Sequence, residues 1–420
     1  MGVFSSAAGS RTKRAVISGV ALAGATALVL TGCAPSDGGG SGPAEDLTFK
    51  IGTALPVTGN LAFLGPPEIA GTEYAAAEIN EAAKGITIDL VQGDSGDTDN
   101  KAYETEIPRL LGEDVGAIIG AASSGTSLQF IDQVVGANVI QFSPANTSAE
   151  FTTYDDKDLY FRTAPSDVLQ GEVLGNLIAE DGNETLGMIV LNDSYGTGLA
   201  SFTKEAFEAA GGEVVAEATY NTGDTNFSAQ ISEVLAASPD AIALITFEEV
   251  ATMIPEITAS FPAEKLYFVD GNLSNFGEDF PAGTLAGAKG TLPGLSIDTI
   301  TDFTTALNDF WVEEGNDELD EFSYAAESYD AVVLLALAAL AAGSTDPVEV
   351  AAKLQEVSGG SGDGEKCSTF AECADIINGG GVADYDGISG PITFDEVGDP
   401  TEASIGIYQY GEDNTYSAAE

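Results

Sequence analysis

The chain reads as an α/β protein of two doubly wound lobes, and three observations lead there. From Leu47 onward, short apolar runs alternate with amphipathic helical patterns, which predicts parallel sheets covered by helices on both faces. The alternation comes as two series, the second starting after "LYFRTAPSD". The 420 residues, less a removable leader of 32, leave 388, more than one hydrophobic core comfortably organises.

In the first series "TFKIGTALP" is a strand, and 66–83 is a helix with Ile69, Ala76, Ile79 and Ala83 on one face. "ITIDLVQGD" is the next strand, followed by a helix over 101–111. "VGAIIGA", a helix from Ser124 and "NVIQFSP" complete the series. The second runs helix 168–181, "TLGMIVLND", helix 197–210, "EVVAEATY", helix 227–237, "AIALITF", helix 248–260 and "KLYFVDG". A third block, 301–357, is helical. Its stretch Ala331 to Ala342 lacks any polar residue and is too short to span a bilayer, which predicts a buried core helix. "SGPITFDEVGDP" and "ASIGIYQY" read as a closing hairpin, on a tail that crosses back between two lobes already complete.

The first residues carry a different message. Arg11, Lys13 and Arg14 precede an apolar run from Ala15 to Leu30, the order of a secretory leader. Leu30-Thr31-Gly32-Cys33 resembles the bacterial lipobox, which implies cleavage after residue 32 and a lipid on Cys33. The competing reading is an uncleaved anchor helix with an incidental cysteine. Ser36 to Pro43 then supplies a flexible tether, so that residues 33–46 form a lipidated cysteine and linker.

Composition narrows the chemistry. With the leader removed, 11 basic residues face 67 acids, a net charge of −56. Such a field repels phosphate backbones and anionic lipid head groups, which argues against nucleic acid as a partner and leaves the lipid as the membrane attachment. There is no histidine, so neither a Ser-His-Asp site nor an H-E-x-x-H zinc site can be built. Walker A and convincing G-x-G-x-x-G loops are missing too. No cofactor is called for, and soft metal ligands are too few for a metal site. Cys367 and Cys373, in "KCSTFAEC", read as a structural disulfide closing a short loop outside the cell.

Ligands of open α/β sheets sit at the carboxyl ends of the strands, so the loops leaving each strand are where binding chemistry belongs. "GAASSGTS" leaves one strand and opens a helix, whose free N–H groups favour an anion. "FSPANTSAEFT" is again rich in hydroxyls. Two neutral donor clusters suit a carboxylate, although ordinary helix capping explains either alone. In the second series Tyr195, Phe247 and Asp270 follow strands. An acid beside Gly271 can pair with an ammonium, or simply make an Asp-Gly turn. Together these loops describe a clamp for an amino acid.

The chain resembles the solute-binding proteins of ABC importers, in the group of the leucine/isoleucine/valine-binding protein. The resemblance covers Leu47 to Tyr416 and rests on "IGTALPVTGNLAFLG", "SSGTS", "SPANTS", "FRTAPSD", "NDSYGTGLA", "VDGN", "YAAESYDAV" and "ISGPITFDEVGDP". It implies two Rossmann-like lobes joined by three crossover strands, the periplasmic binding protein type I fold, with the solute closed between them. The first lobe would comprise 47–165 and 295–390, the second 166–294 and 391–420. Residue by residue, Ser124 and Thr147 match side-chain contacts to the α-carboxylate, with the backbone of Ala145 between them. Asp270 matches the acid receiving the α-ammonium, where leucine-binding members have Glu. Tyr195, Phe247 and Tyr324 match wall aromatics, while Leu64 stands where those members carry Tyr or Trp. The solute implied is an amino acid of branched-chain or related apolar type, with Leu64 in place of an aromatic, and Glu248 and Glu249 nearby, leaving room for a bulkier or partly polar side chain. The resemblance also implies a monomer at the outer face of the bacterial cell membrane, feeding an ABC permease, and not an enzyme.

Three rivals remain open: a glycosidase using paired carboxylates, a sensory lipoprotein of the same fold, and an importer component for urea, an amide or an aromatic acid. The glycosidase lacks sugar platforms, since the single Trp, Trp311, lies on a surface helix.

Overall fold

The computed structural model describes residues 46–419; the leader, Cys33 and most of the linker lie outside the described residues. The first lobe is built by β1 (Leu47–Ala54), α1 (Gly65–Ala82), β2 (Ile86–Val91), α2 (Tyr103–Gly112), β3 (Ala117–Gly120), α3 (Ser124–Gly136), β4 (Ile140–Ser143) and β5 (Tyr160–Arg162). Its five strands pair in parallel in the order β2-β1-β3-β4-β5. The second lobe continues with α4 (Asp167–Glu180), β6 (Thr185–Leu191), α5 (Ser194–Ala209), β7 (Glu213–Tyr220), α6 (Ser228–Ala236), β8 (Ala241–Ile245), α7 (Val250–Thr258), β9 (Leu266–Phe268) and β10 (Lys289–Pro293). The chain then returns to the first lobe as α8 (Thr301–Glu313), α9 (Ala325–Ala342), α10 (Pro347–Val357), β11 (Glu365–Cys367), α11 (Phe370–Asn378), β12 (Ala383–Gly387) and β13 (Gly390–Pro391). It ends in the second with β14 (Ile405–Tyr410) and β15 (Tyr416–Ala418).

The apolar stretch foreseen as a core helix is the second half of α9. This helix is long and apolar enough to cross a membrane, yet every residue from Ala325 to Ala339 is buried, packed with α1 and α10 against the first sheet. Its one buried aspartate is well provided for. Asp330 accepts hydrogen bonds from the Tyr385 hydroxyl (2.6 Å), the Ile388 and Ser389 amides (3.0 and 2.7 Å) and the Ser389 hydroxyl (2.6 Å), as a buried carboxylate requires. These bonds tie the small sheet β11-β12-β13 to the core. Cys367 and Cys373 are joined, with a Cα–Cα distance of 5.4 Å, linking β11 to α11. Trp311 is half-buried on α8, packed against the same core.

The tail differs from expectation. "SGPITFDEVGDP" and "ASIGIYQY" do not pair as a hairpin. Gly390–Pro391 pairs with β12, while β14 runs antiparallel to both β10 and β15. Each half has the better partner elsewhere. Asp330 draws 388–389 onto α9, and β10 offers β14 an otherwise open sheet edge. The second sheet was therefore incomplete before the tail, which gives it seven strands in the order β15-β14-β10-β9-β8-β6-β7. Ile392 and Phe394 pack in the first core, so the last crossing between lobes follows Phe394.

Both sheets repeat one plan. With β6 counted as the first strand of its lobe, β7-β6-β8-β9-β10 has the same 2-1-3-4-5 order as the first sheet. Each sheet thus has a point where strand order reverses, between β1 and β3 and between β6 and β8, the place where such sheets hold ligands.

The close crossing of α1 and α9 yields a test. A Cβ on Gly71 would lie 2.3 Å from the Ala325 carbonyl oxygen, backbone that cannot step aside. Gly71→Ala is expected to lower stability by about 1–3 kcal/mol, read as an earlier urea midpoint; an unchanged midpoint would show that the two helices can part.

Candidate functional site

The loops at the two reversal points face one another. Leu64 follows β1 and Ser123–Ser124 follow β3, while Tyr195 follows β6 and Phe247 follows β8. The fourth strands add Ala145 after β4 and Asp270 after β9. Leu61, Leu64, Ala122, Ser123, Ser124, Ala145, Tyr195, Phe247, Asp270, Gly271 and Tyr324 enclose one small cavity. Of the eight ligand-site residues named from sequence, the fold brings together seven. Thr147 is not in the lining: it is buried beside Asp167, whose amide bonds the Thr147 carbonyl at 2.7 Å.

Asp270 is the centre of this arrangement. Its Oδ1 accepts from the Tyr195 hydroxyl at 2.7 Å and from Gln170 Nε2 at 2.9 Å, and its Oδ2 accepts from the Tyr324 hydroxyl at 2.7 Å. Burial pushes the carboxyl up, and these three neutral donors oppose the shift. Among the described residues no Lys or Arg lines the cavity. Tyr324 is held for this contact in the left-handed region at φ 61°, a conformation that costs a bulky residue about 1–3 kcal/mol and survives where function over-determines it. Gln170, fixed also by the Thr291 carbonyl and hydroxyl, was not foreseen. Its only signal in the sequence is a glutamine facing inward one turn into an otherwise ordinary helix.

The opposite wall presents hydroxyls at a helix start. Ser123 caps α3, its Oγ accepting from the Thr126 amide at 3.2 Å. Ser124 Oγ accepts from the Ser148 amide at 3.2 Å, which leaves its own hydrogen free for an anion at the positive end of α3. Tyr195 and Phe247 stack at 5.3 Å with 18° between the planes and form an apolar wall with Leu61 and Leu64. Tyr195 sits inside α5, which begins at Ser194 rather than 197. Asp193 accepts from the Gly196 amide at 2.7 Å and caps the helix, so Gly196 and Gly198 belong to its first two turns.

The cavity has room for about 10 Å³, on the order of one water. An amino acid needs more, so the lobes must part to admit one. In the present arrangement they are held together by the Tyr324 hydroxyl on Asp270 at 2.7 Å, the Tyr416 hydroxyl on Glu321 at 2.6 Å and Asn275 Nδ2 on the Asp320 carbonyl at 3.0 Å, with the Glu248 amide to the Asn60 carbonyl and Ser148 Oγ to the Ser194 carbonyl longer, both 3.3 Å. Glu248 and Glu249 do not touch the cavity. With Asn60, Phe63, Asp99 and Asp224 they line a larger cleft of about 590 Å³ further out.

A family model described as periplasmic binding protein matches residues 48–372. In sequence the chain is similar to the Leu/Ile/Val-binding protein homolog 2 of Brucella abortus, 27% identical over 381 residues that cover 88% of this chain and 92% of the relative. In structure it is similar to the leucine binding protein LivK of Thermotoga maritima, with a TM-score of 0.72 and 21% identity over 89% of this chain and 98% of that one. It is also similar to a solute binding protein from R. palustris in complex with benzoate, with a TM-score of 0.70 and 19% identity over 88% and 95%.

Buried acids set the response to pH. Burial raises Asp156 and Asp193 to about 6, Glu321 to about 7 and Glu327 to about 8. Unfolding returns each to the ordinary range near ~4. The folded chain therefore binds more protons than the unfolded one, and stability falls as pH rises through about 6 to 8. The thermal midpoint is expected to drop between about pH 5 and about pH 8, and Glu327→Gln to flatten the upper part of the fall. A midpoint rising over that range would contradict the assignment.

Proposed function

We propose a function from one premise: the chain belongs to the periplasmic binding protein family, with the type I fold, and is a solute-binding protein rather than an enzyme. The solute is an amino acid, captured between the lobes by hinge closure and delivered to the permease of an ABC importer. The protein is held at the outer face of the cell membrane by a lipid on Cys33 and works as a monomer.

The observation that carries the amino-acid reading is the pairing of unlike chemistries across the cleft. Asp270, supplied by the second lobe and surrounded by neutral donors, can take an α-ammonium. Ser124 at the start of α3 and the Ala145 backbone, supplied by the first lobe, can take an α-carboxylate. Thr147 can join them only if closure around a solute turns its hydroxyl, which has no partner among the described residues, toward the cavity. Leu64 and the stacked Tyr195–Phe247 pair would meet an apolar side chain.

A second reading has its own support. The same aromatic wall suits a ring, and the R. palustris relative is in complex with benzoate. An aromatic acid would use the hydroxyl wall and leave Asp270 without a charged partner.

Thermal shift of the soluble protein with each amino acid, urea, short amides and aromatic acids separates the two. A ligand specific for the folded state adds about 2.7 kcal/mol at a hundredfold excess over Kd. One or a few L-amino acids are expected to stabilise, with Asp270→Asn weakening them at least a hundredfold, since a buried charge without its partner costs about 3–5 kcal/mol. Stabilisation by an aromatic acid alone, unaffected by Asp270→Asn, would overturn the amino-acid reading.

A further inference from the structure

Two motifs quoted from the sequence, "FRTAPSD" and "ISGPITFDEVGDP", are far apart in the chain and meet in the fold. Arg162 ends β5 and is fully buried; Asp399 lies on the last crossing between the lobes and is nearly so. Their contact is bidentate: Nε to Oδ1 at 2.6 Å and Nη2 to Oδ2 at 2.8 Å. Thr152 joins it, donating to Asp399 Oδ2 at 2.6 Å and accepting from Nη2 at 3.1 Å. The Arg162 amide also bonds the Gly398 carbonyl at 3.2 Å.

The remaining guanidinium nitrogen points elsewhere. Nη1 donates to the carbonyl oxygens of Ser148 at 2.8 Å and Asn146 at 3.3 Å, and so holds the backbone of the loop that carries Ala145 and Thr147. That loop in turn sets the hydroxyl wall. The Ser148 amide bonds Ser124 Oγ, and the Asn146 side chain bonds the Ala121 and Ala122 carbonyls at 2.9 and 2.7 Å. One planar cation thus spans a lobe crossing and the solute-facing loop, a geometry that a point-charge ammonium cannot reproduce.

We propose that Arg162 and Asp399 are a positioning pair: through the Asn146 and Ser148 carbonyls they hold the loop 145–148, and with it Ser124, in register for the solute. The pair does not touch the solute. Asp399 fixes the plane of the guanidinium, and the guanidinium fixes the loop, so loosening either end disorders the hydroxyl wall while the sheets stay intact. This rests on the solute-site reading above only for its consequence in binding; the effect on the loop is independent of it.

The test is amide hydrogen exchange on the solute-free protein, wild type against Asp399→Asn, which keeps the shape, and Arg162→Lys, which keeps the charge. The amides of Ala145, Asn146 and Ser148, bonded to Ser143 Oγ or Ser124 Oγ, are expected to exchange at least tenfold faster in both variants, with strands β1 and β3 unchanged. A brace that only stabilises the fold would speed exchange across the sheet as well, and that pattern, or an unchanged loop, would overturn the proposal. Should Asp399→Asn not fold, Asp399→Glu displaces the carboxylate while keeping its charge, and is expected to give a smaller acceleration confined to the same amides. For whichever solute stabilises the wild type, affinity below the variants' melting range is expected to fall at least tenfold. Faster exchange without any amino-acid binding in the wild type would retire the amino-acid reading and leave the positioning pair standing.

Discussion

A carboxylate sealed from water with no cation beside it is the constraint on which this molecule turns. Leaving Asp270 so placed is costly unless its lone pairs are occupied, and three neutral groups from three parts of the chain do that: Tyr195 from α5, Tyr324 from the start of α9 and Gln170 from α4. Each partner then dictates something local. Tyr324 accepts a left-handed backbone, Gln170 is locked to Thr291, and the Tyr195 ring is aligned so that it stacks on Phe247. Neutral donors reduce the burial penalty without cancelling the charge, which is what the proposed ammonium partner would do.

Much of this was legible in the sequence because the fold is periodic and the site lies at strand ends. Apolar runs alternating with helical patterns gave the order of elements, and strand-end loops pointed to Tyr195, Phe247 and Asp270, while Ser124 and Ala145 were named by the resemblance to the leucine-binding group. What escaped notice depends on long-range pairing. Gln170 looks like an ordinary polar position until β9 and β10 bring Asp270 and Thr291 to it. The closing hairpin was inferred from local pattern, and local pattern cannot register that β10 lacks a neighbour or that Asp330 is waiting for the Ser389 amide. Arg162 carried a clue that went unread, a strong cation inside the apolar run "LYFRT", which is tolerated only where an acid meets it.

Thr147 shows the same limit from the other side. Its place in the sequence, two residues after Ala145, matches a solute contact in the related proteins, but its backbone carbonyl is taken by the Asp167 amide and the residue is not in the cavity lining. Its hydroxyl lies beside Asp167, whose carboxyl is also buried and has no hydrogen-bond partner among the described residues. Burial and the neighbouring Asp270 push that carboxyl up, against the opposing pull of the Thr147 hydroxyl and Arg162. A carboxyl shifted in that direction would repel less of whatever the proposed carboxylate-binding wall takes.

The division of the site between lobes explains why closure should depend on the solute. The first lobe offers hydroxyls and a helix start, which favour an anion; the second offers Asp270, which favours a cation. Bringing these halves together with nothing between them leaves the Asp270 charge buried against neutral donors alone. In the proposed reading a zwitterion would supply both partners at once and add no net charge to a chain that already carries a large excess of acids. A ligand shifts a two-state equilibrium only by its differential affinity for the two states. In the proposed reading that differential would come from the division of the site, because neither lobe alone offers partners for both ends of a zwitterion.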